Sequence, residues 1–204
     1  MIAKFKLISK SYSYDLLKLL LNKIDFSAIF LCLILLASVG LFSPIIYSQT
    51  HYEGENFRLE IPADWEVFEQ DTEGDIKEFI FIVPEEGEEL KSDRHMFSTN
   101  VNIVVEKIAA DFTLEEYIDI VLMQLESRLD DFNLLERSST VLAEKSGENI
   151  EYTGLTQAGE KLFWQEWIII ENNSAYVITY AARDELYAEY KEEVDKMLDS
   201  FVFE

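Results

Sequence analysis

The chain has 204 residues, 40 of them acidic and 17 basic, with a formal charge of -23 and a pI near 4.3. Setting aside the five lysines and two aspartates of residues 1–48 leaves 38 acidic and 12 basic residues in 49–204, a formal charge of -26. Such a surface repels phosphate backbones and anionic headgroups within a Debye length of about 8–10 Å, which argues against nucleic acid as a partner and leaves basic protein patches and metal ions.

Residues 1–25 read as a basic n-region in which Lys4, Lys6, Lys10, Lys18 and Lys23 outnumber Asp15 and Asp25. That bias keeps the N-terminal side in the cytoplasm and sends the acidic part across the membrane. Residues 26–48 read as a signal peptide or transmembrane anchor. Ala28 to Phe42 has signal-peptide length, whereas the uncharged span to Ile46 approaches the roughly 20 residues of a membrane helix. Ile46-Tyr47-Ser48 offers a cleavage site, so release and retention both stay open. The single cysteine, Cys32, lies inside this run, so the exported part has no disulfide and is held by packing alone. Ile29-Phe30-Leu31 before it does not resemble a lipoprotein signal.

Residues 49–56 read as a polar linker and 57–204 as one domain, long enough for one core. Phe57, Leu59 and Ile61 alternate with Arg58 and Glu60 as in a half-buried strand, which Pro62 ends. Trp65 and Val67 reopen an extended segment, Lys77–Val83 is an inner strand stopped by Pro84, and Val101–Ile108 is another. Thr113-Leu114-Glu115-Glu116 is a capping box, and Leu114, Tyr117, Ile118, Val121, Leu122, Leu125 and Leu129 then form one apolar helical stripe. Four strands follow at Phe132–Thr140, Glu148–Thr156, Lys161–Ile170 and Ala175–Ala181, with turns at Ser146-Gly147, Ala158-Gly159 and Asn172-Asn173. Asp184 caps a last helix with the stripe Tyr187, Tyr190, Val194, Met197, Leu198 and Phe201. About eight strands and two one-sided helices predict an α+β fold, an antiparallel sheet sandwiched by helices.

The run Phe57-Arg58-Leu59-Glu60-Ile61-Pro62-Ala63-Asp64-Trp65 resembles the opening of PsbP-like domains, Phe-x-Ile-x-Tyr-Pro-x-x-Trp, with Ile61 in place of the usual aromatic. The likeness continues through Val101–Val105, the helix start at Thr113–Tyr117, Glu151–Gly154, Ala175–Tyr180 and Met197–Phe201. It implies the α/β/α sandwich shared by an extrinsic photosystem II subunit, a Ran-binding nuclear family and many exported prokaryotic proteins. A fold with so many hosts implies no single activity, and no ion-binding or docking residue of the plant subunit carries over.

The candidate site residues are few. Glu85, Glu86, Glu88 and Glu89, with Asp93 and His95, can offer hard oxygen ligands to calcium, or a mixed set to manganese or zinc, and serve equally as a solvated loop. Asp71-Thr72-Glu73-Gly74-Asp75 resembles the start of a calcium loop, but Ile82 stands where the bidentate glutamate is needed. The exported part has no cysteine, which excludes Cys–His chemistry, and a Ser–His–acid triad would have to use His51 or His95, neither of which lies near a nucleophile elbow. Trp164 and Trp167, three apart in one strand, should face opposite sides of the sheet and lie in the core. Glu166 is the polar residue of the Trp164–Ile168 face and marks a pocket or a strand end. The leading expectation is a non-enzymatic exported module that binds a basic protein partner or an envelope component. The alternatives are a calcium- or manganese-binding extrinsic subunit of a membrane complex, and a carboxylate hydrolase built on Glu166.

Overall fold

A computed structural model describes residues 51–54, 56–71, 76–83, 97–156 and 158–204. The n-region 1–25, the apolar segment 26–48 and the acidic run Glu85–His95 lie outside these residues. Among the described residues no helix is long and apolar enough to cross a membrane.

The elements run β1 (His51–Glu53), β2 (Phe57–Glu60), β3 (Glu66–Asp71), β4 (Ile76–Ile82), β5 (Asn100–Lys107), α1 (Leu114–Arg128), β6 (Asp130–Leu142), β7 (Lys145–Leu155), β8 (Lys161–Glu171), β9 (Ser174–Arg183), α2 (Asp184–Ser200) and β10 (Val202–Phe203). Seven strands form one antiparallel sheet in the order β3-β4-β5-β9-β8-β7-β6, and β1-β2-β10 form a second. The sheet has an apolar cluster on each side. On one lie Tyr117, Ile118, Val121 and Leu125 of α1 with Ile150, Tyr152, Trp164 and Ile168. On the other lie Val194, Met197 and Leu198 of α2 and the small sheet's Tyr52, Phe57 and Leu59, with Phe79, Phe81, Ile103, Trp167 and Ile178. The α+β sandwich expected from the two helical stripes is therefore the observed architecture, with the small sheet sharing the second layer with α2.

Local chemistry accounts for the boundaries. Thr113 Oγ1 accepts from the Glu116 N–H at 3.2 Å, and Glu116 Oε2 accepts from the Thr113 N–H at 3.0 Å, so the capping box starts α1 as expected. Helix α2 departs by one residue: Arg183 is the extended N-cap, and Asp184 and Glu185 occupy the first turn, where their charge complements the exposed helix N–H groups. Asn172 and Asn173, at φ of 50° and 57°, make the two-residue turn between β8 and β9.

Two further expectations change. Residues 51–53, read as linker, form β1, because Tyr52 is buried against Phe57, Phe79 and Phe81 and its hydroxyl donates to Glu69 Oε1 at 2.7 Å. The β6–β7 turn lies at Ala143-Glu144, φ 47° and 64°, and not at Ser146-Gly147. Gly147 stands inside β7, where a Cβ would come within 2.5 Å of the Ile168 carbonyl oxygen; the glycine serves close strand approach instead of a turn.

Candidate interaction edge

Strand β6 closes one end of the main sheet, and among the described residues it pairs with β7 alone. It is 13 residues long and only Leu142 in it is buried. Of the four exposed large apolar side chains among the described residues, three sit on it, Leu134 at 40%, Leu135 at 49% and Val141 at 69% exposure, which concentrates apolar surface on this edge. The opposite edge, β3, is shorter, and Tyr52 of the small sheet reaches it through Glu69.

Edge strands are commonly blunted by bulges and charge. Here the register shifts fall between Asp130 and Asn133 and between Leu134 and Glu136, so the disruption is confined to the first half. From Glu136 to Leu142 the pairing with β7 is regular. Arg137 bonds Glu148 through Nε, and through Nη2 at 3.1 Å, and approaches Asp119 at 3.5 Å, so it lies on the α1 side of the sheet and not over the edge. On the α2 side Glu136 stands directly opposite Glu151. Partial burial pushes the Glu151 carboxyl up, the Glu136 charge adds to that, and Lys191 opposes both. The Lys191 ammonium itself bonds Asp195 and lies 5.8 Å from the Trp167 ring centre.

The sequence-derived sites fall elsewhere. Glu85, Glu86, Glu88, Glu89, Asp93 and His95 lie outside the described residues. Among the described ones no three His, Cys, Asp or Glu side chains are grouped to hold a metal ion. Trp164 and Trp167 are buried in the α1-side and α2-side clusters respectively, on opposite faces as their spacing requires. Glu166 is mid-strand, not at a strand end, and is 6% exposed. Ile150 and Thr179 flank it on the neighbouring strands, and Tyr152 Oη donates to its Oε1 at 2.6 Å. Its Oε2 has no partner among the described residues, and burial pushes this carboxyl up to about 7 against the lowering pull of the Tyr152 hydroxyl.

Two further buried carboxylates share the α1 side. Asn102 Nδ2 donates to Glu78 Oε1 at 3.2 Å, and Tyr117 Oη donates to Glu106 Oε2 at 3.0 Å. Both glutamates interrupt apolar strands, the signal that singled out Glu166. Nothing in the sequence marked β6 as an edge, because alternation identifies strands but not their order.

A family model described as DcrB matches residues 90–200. Among solved structures, PA94 of Pseudomonas aeruginosa, a protein of unknown function and inferred regulator, is 19% identical with a TM-score of 0.52 over 74% of this chain and 93% of that one. LpqN of Mycobacterium tuberculosis, involved in cell envelope biogenesis, is 11% identical, with a TM-score of 0.51 over 79% and 89% of the two chains. Cyanobacterial PsbP from Synechocystis is 12% identical, with a TM-score of 0.52 over 81% and 99%. At such identities the likeness is one of fold. No curated protein sequence matches the chain.

Proposed function

The chain belongs to the DcrB family, within a PsbP-like fold, and on that premise we propose that it is a non-enzymatic, extracytoplasmic accessory module that binds a protein partner by strand addition at β6. The observation that carries this reading is the 13-residue outer strand with Leu134, Leu135 and Val141 exposed along it. An added strand satisfies the outward backbone groups and covers those side chains, the general mode of β-augmentation. The basic n-region and apolar segment support placement outside the cytoplasm, as do the envelope role of LpqN and the likeness to PsbP. The burial of Glu166 on the α1 side supports a binding role over a hydrolytic one, since Ile150, Tyr152, Trp164 and Ile168 around it belong to a packed core.

A photo-crosslinker at position 135 or 141 of the full-length chain, expressed in cells, should give a discrete adduct, while one at Glu192 on the exposed side of α2 should give none. Equal adducts from both surfaces, or none from β6, would refute the strand-addition reading.

A further inference from the structure

We propose that the segment added to β6 carries a lysine or arginine opposite Glu136, held there by the paired carboxylates of Glu136 and Glu151. This rests on the edge reading and adds the chemistry of the occupant. In an antiparallel pair, directly opposed side chains on one face lie about 5 Å apart, and like charges in that position are destabilising. Glu136 and Glu151 are such a pair, on the two outermost strands of the sheet.

Lys191 pulls the Glu151 carboxyl down but does not outweigh burial and the Glu136 charge, which leave it raised. Arg137 belongs to the other face, with Glu148 and Asp119, and Lys191 bonds Asp195. An added strand extends the row Gln165–Glu151–Glu136 by one position. A cationic side chain there faces Glu136 directly and has Glu151 behind it, and it offsets the repulsion within the pair. Further along β6 on the same side are the small Ser138 and Thr140, half-buried and hydroxylated, while the α1 side presents Ser139 and exposed Val141. The fitting occupant is thus an extended segment with a basic residue and small polar ones on one face and β-branched apolar residues on the other. The formal charge of -26 over residues 49–204 draws such a segment in but does not set its register; the carboxylate pair does.

The test uses the full-length protein in detergent micelles and three fluorescent nonapeptides of alternating Thr and Val. The first has a lysine at its fifth position, on the Thr face; the second has a glutamate there; and the third has its lysine moved to the sixth position, on the Val face. A shift of one residue moves a side chain to the other side of a strand, so the two lysine peptides differ in register chemistry and not in charge. The Thr-face lysine peptide is expected to slow hydrogen exchange in β6 and to bind about three- to fivefold tighter than either of the others at about 50 mM salt, the range of a partly exposed ion pair. The advantage should vanish in Glu136→Gln/Glu151→Gln, whose unfolding curve verifies that it is folded. Equal affinity of the two lysine peptides, or of all three peptides, with β6 still protected would overturn the basic-residue assignment and leave the edge reading standing. Absence of β6 protection with every peptide would overturn both.

Discussion

Glu166 turns burial into pH dependence. Its carboxyl sits near 4.5 in an unfolded chain and is pushed up to about 7 in the folded one, burial being the dominant cause. Between those values the folded protein holds a proton that the unfolded chain has released, so stability falls as pH rises through this window, by about 3 kcal/mol in all. Glu166→Gln keeps the volume and removes the titration. Urea unfolding should therefore show the variant gaining on the wild type by about that amount from pH 4.5 to pH 8, and a difference that stays flat with pH would contradict the assignment. Thr113 carries a simpler prediction: Thr113→Ala deletes one half of the capping box and should cost about 1 kcal/mol, read as a lowered denaturation midpoint at unchanged slope. Both residues stood out in the sequence, Thr113 by its spacing to Glu116 and Glu166 by its polarity within an apolar face. The burial of Glu166 was not legible, since its flanking Ile150 and Thr179 come from strands whose order no local pattern encodes.

The elements themselves were largely legible. Period-two alternation found β2, period-3.6 stripes found both helices, and the paired asparagines found the β8–β9 turn. Ser146-Gly147 has the look of a turn, yet the turn is at Ala143-Glu144 and the glycine serves close approach to Ile168. Gly147→Ala should thus destabilise by about 1–3 kcal/mol, as overpacking does, because the obstruction is a backbone carbonyl that cannot rotate away. The edge role of β6 makes the opposite prediction. Val141→Lys should leave stability within about 0.5 kcal/mol, being a surface change, yet abolish the crosslinked adduct from position 135. An adduct that survives this substitution would place the partner elsewhere.

At the scale of the whole molecule, charge and core oppose each other. An excess of acids this large strains the compact state through self-repulsion, so raising salt from about 10 to 150 mM should raise the melting temperature, most steeply at the low end. What resists the repulsion is a pair of apolar layers tied together by pairings far apart in sequence. Asn100 of β5 faces Ala181 of β9 in the middle of the main sheet, and Phe57 of β2 faces Phe203 of β10 in the small one. The β6–β9 meander and the β3–β4–β5 meander can each form from neighbouring segments, but β5 gains its inner partner only when β9 is available, and β2 gains one of its two only with β10. Pairings of such long range make folding slow. A chain emerging from a ribosome or a membrane channel therefore keeps β5 without its inner partner until β9 is out, and the delay that makes the topology a sluggish folder would keep the stretch between them threadable in the meantime.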